Sequence, residues 1–131
     1  MNDRYLYRAK HSLNSKKWHI GNLVEEPDGL YLRDNKNNIM VYIQDTSTIC
    51  QCTGLKDKNG KMIWENDIMV SHLDDRFPED ETYIKILWHA SGICTQEKGS
   101  CDIFLIDEFI QKNFEVCGNI FDNSALLEVG E

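Results

Sequence analysis

The sequence lacks any long apolar run and any low-complexity tract. No apolar segment approaches the ~18 residues that a membrane-spanning helix needs, and Met1–Tyr5 lacks the basic start and apolar core of a secretory signal. The 131 residues are 41% hydrophobic and 27% charged, which is ordinary for a globular protein. We therefore expect one domain spanning residues 1–131, located in the cytoplasm and without a membrane partner.

Positive charge is also scarce. The 14 Lys and Arg residues are outnumbered by 22 Asp and Glu residues, for a net charge of -8. Binding to nucleic acid needs clustered basic side chains, so this balance disfavours a nucleic-acid partner. The alternative is a basic hairpin tip, and exposed hairpins are usually charged for solubility. The lysines concerned are Lys56, Lys58 and Lys61, with Lys16 and Lys17 as further candidates.

Signatures of metal binding and catalysis are missing as well. Five cysteines without a C-x-x-C pair are typical of reduced thiols, and Cys50 and Cys52 on one face of a strand need two more ligands to hold a soft metal. The histidines show neither H-x-H nor H-E-x-x-H spacing. We expect no metal, cofactor or catalytic residue, with an enzyme of unrecognised site as the alternative. The residues are Cys50, Cys52, Cys94, Cys101 and Cys117, and His11, His19, His72 and His89.

Alternation of apolar and polar residues between turn signals predicts a mainly β fold. Ile39–Ile43 is apolar almost throughout, which predicts a strand buried on both sides. The pattern of Asp102–Lys112 favours the one longer helix, with Asp102 as its N-cap. Phe104 and Leu105 interrupt the apolar stripe of this helix, so a strand is the alternative. We expect a small, partly open barrel or a strongly bent antiparallel sheet. The predicted strands are Arg4–Ala9, Trp18–Val24, Leu30–Arg33, Ile39–Ile43, Ile49–Thr53, Met62–Trp64, Ile68–Val70, Tyr83–Trp88, Ile93–Glu97 and Phe114–Phe121.

Turn chemistry is concentrated between Gln51 and Val70. Asn59-Gly60 predicts a type I′ hairpin, in which both central residues take positive φ. Asn66 predicts a left-handed corner. The following Asp67 is expected to accept backbone N–H bonds, in preference to working with Glu65 as an acid and base pair or a cation site. Further along, Gly118 predicts a bulge or a close backbone approach.

Two blocks of the sequence resemble the YopX-like family of phages and prophages, whose molecular function is unassigned. The block T-G-L-K-D-K-N-G-K-M-I-W-E-N-D-I is similar to the family pattern T-G-L-x-D-x-x-G-x-x-I-[YWF]-E-G-D-I. The block V-C-G-N-I-F-D-N-S-A-L-L is similar to V-x-G-N-I-[YF]-E-N-P-x-L-L. Asn66 stands where the family usually has Gly, and Ser124 where it has Pro. The matching positions that we take as structural are Thr53, Gly54, Asp57, Gly60, Ile63, Glu65, Asn66, Asp67, Gly118, Asn119 and Ile120.

The resemblance implies a phage- or prophage-encoded accessory protein and brings no catalytic residues. We expect a non-catalytic binding or assembly module with an unknown phage or host protein as its partner. Large side chains on both faces of Ile39–Ile43 and Tyr83–Trp88 also favour self-association. If the loops Leu73–Thr82 and His11–Lys17 cover that second face, the protein is a monomer.

Overall fold

The computed structural model describes residues 5–12, 14–72, 81–89 and 92–128. The chain divides into two compact units, residues 1–54 and 55–131. The mainly β fold is confirmed: within the described ranges the strands form two antiparallel sheets, which do not close into a barrel, and one α-helix accompanies them. The single domain expected from the length stays a prediction. No helix in the described ranges is long and apolar enough to cross a membrane.

The first unit is an antiparallel sheet with the strand order β4-β3-β2-β1-β5. Its small core consists of Ala9, Leu32 and Ile43, all nearly inaccessible to solvent. The last strand continues past Gly54 into the second unit. The strands are β1 (Tyr7–Ala9), β2 (His19–Glu26), β3 (Gly29–Asp34), β4 (Ile39–Tyr42) and β5 (Cys50–Lys56), and a short 3₁₀ helix occupies Thr46–Thr48.

The predicted burial of Ile39–Ile43 on both faces is wrong. Ile39, Met40 and Tyr42 are 45%, 46% and 41% exposed, and only Ile43 is buried. The cause is the position of β4 at the edge of its sheet, with β3 as its one neighbour. Sheet order depends on contacts between distant parts of the chain, so an apolar run does not reveal whether its strand is central or at an edge.

The second unit contains a sheet with the strand order β10-β9-β8-β7-β11. Its core is larger and consists of Ile63, Met69, Ile84, Ile86 and Phe114. The elements are β6 (Met62–Trp64), β7 (Asp67–Ser71), β8 (Thr82–His89), β9 (Gly92–Glu97), β10 (Ile103–Leu105), the helix α1 (Glu108–Asn113), β11 (Glu115–Asn119) and a 3₁₀ helix at Ser124–Leu127. Most of the predicted acidic loop Leu73–Thr82 lies outside the described residues.

The helix predicted over Asp102–Lys112, with Asp102 as its cap, is wrong in its first half. Residues 103–105 form β10, which pairs with β9, and α1 begins only at Glu108. Asp107 is the N-cap, because its Oδ1 accepts a hydrogen bond of 3.0 Å from the Ile110 N–H. The residue that caps the helix lies five positions after the predicted cap. Phe104 and Leu105, which interrupt the apolar stripe of the predicted helix, belong to β10.

The hairpin at Asn59-Gly60 is confirmed, but its type I′ geometry is wrong. Gly60 has φ 81°, whereas Asn59 is not among the residues with positive φ. The Gly60 N–H donates to the Asp57 carbonyl over 3.0 Å, and the Asp57 N–H donates to the Lys61 carbonyl over 2.8 Å. These bonds form a three-residue loop that ends in a left-handed glycine, the commonest arrangement after the two-residue turns.

Candidate binding surface

The corner at Asn66 lies between β6 and β7 and is bonded to β8 and to the residue that follows β11. Asn66 has φ 70°, which confirms the left-handed prediction. Its backbone N–H donates to the Ile86 carbonyl over 2.8 Å, and its carbonyl accepts from the Ile120 N–H over 3.0 Å. Asp67 is 1% exposed, and its Oδ2 accepts the Trp64 N–H over 2.7 Å. The predicted role of Asp67 in fixing the turn is confirmed.

Asp57 is the second buried carboxylate of the motif. Its Oδ1 accepts the N–H groups of Asn59 and Lys61, each over 2.9 Å. Its Oδ2 accepts the Val116 N–H over 2.8 Å, and the Lys58 N–H donates to the Phe114 carbonyl over 3.2 Å. The carboxylate therefore joins the hairpin to β11, which brings the two sequence blocks together.

The second block is held by amide side chains. The Asn119 Oδ1 accepts the N–H groups of Phe121 and Asp122 over 3.0 and 2.9 Å, and the Asn119 N–H donates to the Asn123 Oδ1 over 3.2 Å. The register of β11 shifts between Val116 and Gly118. A Cβ on Gly118 would lie 2.4 Å from the Asn123 Oδ1. The predicted bulge and the predicted close approach are both present.

The remaining motif positions are part of the scaffold. Ile63 is fully buried in the core of the second unit, Glu65 is partly buried beside the corner, and Ile120 follows β11. Thr53 and Gly54 belong to the first unit, where Thr53 is 1% exposed. The structure places the residues from Asp57 onward in one unit, where they fix turns and strand ends.

In the part of the chain that the structure describes, the cysteines and carboxylates do not gather into a metal centre. Among residues 5–12, 14–72, 81–89 and 92–128, no group of three or more His, Cys, Asp or Glu side chains is placed to hold a metal ion. Cys50, Cys52 and Cys94 are buried, and Cys101 and Cys117 are exposed.

Two histidines have distinctive surroundings. Burial, and then the charge of Lys17, lower the pKa of His19, so its imidazole is neutral at pH 7. His72 Nε2 lies 3.9 Å from the Glu81 Oε1. The Tyr83 hydroxyl donates to the same carboxylate, which raises the pKa of Tyr83 to about 12. Tyr83 therefore stays protonated near neutral pH and cannot serve as a base there.

In each unit a cavity lies beside exposed apolar side chains. The cavity of the first unit, about 290 Å³, is lined by Trp18, Ile20 and Asp34 among others. Its carboxylate is already engaged in a turn: Asp34 accepts the N–H groups of Lys36 and Asn37 and the Asn37 side-chain amide. The hydrogen bonds from Asn37 lower the pKa of Asp34. The carboxylate in this cavity is therefore engaged in stabilising the turn.

The corresponding cavity of the second unit, about 300 Å³, has several apolar residues in its lining. Phe114 and Ile84, both from the buried core, contribute to its lining. Phe104, Leu105 and Phe109 also line it and are 65%, 58% and 52% exposed. We call this region the β10–α1 groove. The sequence did not predict this groove. Its signal was the pair Phe104 and Leu105, which interrupt the apolar stripe of the helix predicted over Asp102–Lys112.

Side chains hold some of the outward main-chain groups on β11, β6 and β4, which hinders pairing with another chain there. On β11, Asp57 and Asn123 take the N–H groups of Val116 and Asn119. On β6, Asp67 takes the Trp64 N–H. On β4, the His11 Nδ1 lies 2.7 Å from the Tyr42 carbonyl oxygen.

The outer edge of β10 has no such closure in the part of the chain that the structure describes. The Ile106 N–H donates to the Ile93 carbonyl over 3.0 Å, and Leu105 lies opposite Cys94. Because hydrogen-bonding groups alternate along an antiparallel strand, those of Phe104 point toward β9 and those of Ile103 and Leu105 point outward. The β10–α1 groove thus lies beside an open strand edge.

This geometry defines a small, mainly β protein whose motif residues fix turns and strand ends, and in whose described part the apolar outer edge of β10 is open. The family profile described as YopX protein matches residues 6–128. The chain therefore belongs to the YopX protein family, which confirms the resemblance found in its two blocks.

The fold is similar to that of a solved structure. The chain matches the crystal structure of protein EF1440 from Enterococcus faecalis with a TM-score of 0.54 and 21% sequence identity. The match covers 93% of this chain and 96% of that chain. At this identity the similarity shows the fold alone. The comparison with curated proteins gave no match.

Proposed function

We propose that this protein is a non-catalytic binding module encoded by a phage or prophage, and that the β10–α1 groove binds its protein partner. One observation carries the proposal: Phe104, Leu105 and Phe109 are all more than half exposed around a single cavity. Contiguous apolar surface of this kind typically marks an interaction site. The phage setting is drawn from the family.

The size of the groove favours side chains of a protein over a large cofactor. Its 300 Å³ lie at the lower limit of ligand pockets, which range from about 300 to 1,000 Å³. Its floor includes the rigid core residues Phe114 and Ile84. Aromatic side chains that surround a small pocket are the usual energetic centre of a protein interface.

The nucleic-acid alternative has weaker support. Lys56, Lys58 and Lys61 are exposed on the hairpin. However, residues 55–131 contain 16 of the 22 acidic residues and only 7 of the 14 basic ones. A phosphate backbone is repelled by such a surface. The enzyme alternative also has weaker support, because the Asp67 carboxylate, one half of the candidate pair with Glu65, is bonded to the Trp64 N–H.

A comparison of two matched double variants tests the proposal. Phe104→Ser with Leu105→Ser changes two adjacent exposed residues on the open edge. Ile39→Ser with Met40→Ser makes the same change on β4, where exposure is also high. Each variant and the wild type are used as bait in prophage-induced cells, and the captured proteins are quantified and then titrated as purified partners.

We expect a partner whose affinity falls at least about tenfold in the β10 variant and stays within about twofold in the β4 variant, as expected for loss of buried aromatic contacts. Thermal melts establish that both variants are folded. A partner that binds the wild type and both variants equally places the binding surface elsewhere and contradicts the proposal.

A further inference from the structure

We infer that the occupant of the β10–α1 groove is an extended segment with alternating apolar side chains and flanking Lys or Arg residues, which adds a strand to the outer edge of β10. This inference rests on the proposed function and specifies the partner's chemistry. It follows from three features of the groove: its outward main-chain groups, its apolar floor and its acidic ends.

The outer edge of β10 presents main-chain hydrogen-bonding groups. Ile103 and Leu105 each direct one N–H and one C=O away from β9, so an added strand can form up to four hydrogen bonds with them. Strand addition to an open sheet edge obtains affinity from such bonds and specificity from pockets for alternate side chains. On β11, β6 and β4, by contrast, Asp57, Asp67 and His11 already hold outward main-chain groups.

The apolar floor sets the pattern of the occupant. Phe104 lies opposite Thr95 in the register, so both side chains are on the same face of the sheet. Thr95, Ile84 and Phe114 line the cavity on that face. Every second side chain of an added strand falls beside Phe104 above this cavity, because strand side chains alternate between faces. Apolar residues at those positions are therefore favoured.

The acidic ends set the charge of the occupant. Asp102 directly precedes β10 and Asp107 follows it by two residues, and both are exposed. Nearby cations are engaged: the Lys112 Nζ lies 2.8 Å from the Glu108 Oε1, and the Lys98 Nζ lies 5.5 Å from the Tyr83 ring centroid. Within the described residues, Asp102 and Asp107 form no ion pair. Basic residues at both ends of the added segment complement them.

A second copy of this chain is a poorer occupant. Two β10 strands paired antiparallel about a two-fold axis at Phe104 place Asp102 of one copy opposite Ile106 of the other. Asp102 then lies next to the second copy's Asp107, and like charges at such positions repel. The strongly acidic composition of residues 55–131 adds to this repulsion.

Blocked synthetic peptides test the inference on the intact protein. The probe is K-V-T-V-T-V-K, which alternates apolar residues between basic ends. One control replaces both lysines by glutamate. Two further peptides carry N-methyl groups on alternate backbone amides, one set for each edge of the peptide. Fluorescence titration gives affinities, and NMR reports amide shifts and hydrogen exchange at Ile103 and Leu105.

We expect the lysine peptide to bind, to protect the amides of Ile103 and Leu105 from exchange, and to bind more weakly as salt rises. The glutamate peptide should bind at least about tenfold more weakly. One of the two N-methylated peptides should lose at least about tenfold in affinity while the other keeps it, because only one edge of the peptide faces β10.

Three results overturn the inference. Equal binding of the lysine and glutamate peptides rejects the charge assignment, and equal binding of both N-methylated peptides at full affinity rejects strand addition. A light-scattering mass of twice 15.3 kDa that returns to 15.3 kDa in Ile103→Pro, which removes an outward N–H, identifies a second copy as the occupant.

The inference and the proposed function fail separately. If the Phe104→Ser, Leu105→Ser variant loses its cellular partner but no peptide binds the wild type, the groove is a binding surface of another chemistry and only the inference is wrong. If the peptides behave as expected and the cellular partner binds that variant as tightly as the wild type, an added strand does bind at β10 but the proposed function is wrong.

Discussion

The carboxylate of Asp57 accepts a hydrogen bond of 2.8 Å from the backbone N–H of Val116, 59 positions further along the chain. The same side chain holds its own turn through the N–H groups of Asn59 and Lys61. Asp57 is 6% exposed, and its carboxylate accepts hydrogen bonds from all three of these backbone N–H groups. The bond from Val116 joins the two sequence blocks, since the first supplies the acceptor and the second the strand that it caps.

Asp57→Asn should therefore destabilise the protein by about 1.5–3 kcal/mol, because the amide has one acceptor oxygen for three donors and no charge. Urea unfolding at pH 7 measures the change. Asp102→Asn, at an exposed carboxylate in the same unit, is the control and should stay within about 0.5 kcal/mol. A loss at Asp57 no larger than the control would mean that the contact with Val116 contributes nothing to stability.

Asn66 provides the second test, because its φ of 70° is unfavourable for most residues. Asn66→Gly should be neutral or stabilising, whereas Asn66→Val should cost about 1–2 kcal/mol, since a β-branched residue is penalised at positive φ. Thermal melts of the two variants decide between these outcomes. If Val is tolerated as well as Gly, the left-handed corner is not what constrains this position.

Gly118 provides the third test, and Gly60 its matched control. An added Cβ at Gly118 meets the Asn123 Oδ1 at 2.4 Å, whereas nothing lies within 4 Å of one at Gly60. Gly118→Ala should cost about 1–3 kcal/mol through overpacking. Gly60→Ala should cost about 1 kcal/mol, from its φ of 81° alone.

Asn123→Gly removes the opposing side chain and separates the two causes. In that background the cost of Gly118→Ala should shrink, and the cost of Gly60→Ala should not change. A double-mutant cycle on urea midpoints measures both. An unchanged cost at Gly118 would show that the contact with Asn123 is not the source of the effect.

The sequence predicted those features whose cause is local. The left-handed corner at Asn66 follows from the few residue types that tolerate positive φ, and the close approach at Gly118 from its lack of a Cβ. The hairpin at Asn59-Gly60 was predicted on the same basis, but its type was wrong. There, the Asp57 side chain binds the N–H groups of Asn59 and Lys61 and favours the longer loop.

The features that sequence reasoning missed depend on contacts between distant segments. The apolar run Ile39–Ile43 has the composition of a central strand, but β4 is an edge strand. The β10–α1 groove arises because β10 and α1 meet Phe114 and Ile84, which come from elsewhere in the second unit. Phe104 and Leu105 interrupt the expected helical stripe and so signal β10, but no local pattern places Phe114 and Ile84 beside it.

The last prediction concerns the five thiols, which we expect to carry neither a disulfide nor a metal in the native protein. Intact mass and metal analysis measure both, and a mass two units low for each cystine, or zinc retained after dialysis, would contradict the expectation. Alkylation of the folded protein should spare Cys50, Cys52 and Cys94, because they are buried.

Cys101 and Cys117 should then be the sites that react. The Cys117 Sγ lies 3.4 Å from the Ile68 carbonyl, and partial burial of the sulfur raises the pKa of this thiol. Because the thiolate is the nucleophile, a raised pKa moves the onset of reaction to higher pH. The midpoint for Cys117 in iodoacetamide labelling, followed by peptide mass spectrometry from pH 6 to 11, should lie above the ordinary thiol value of about 8.5. A midpoint at or below that value would contradict the desolvation of Cys117.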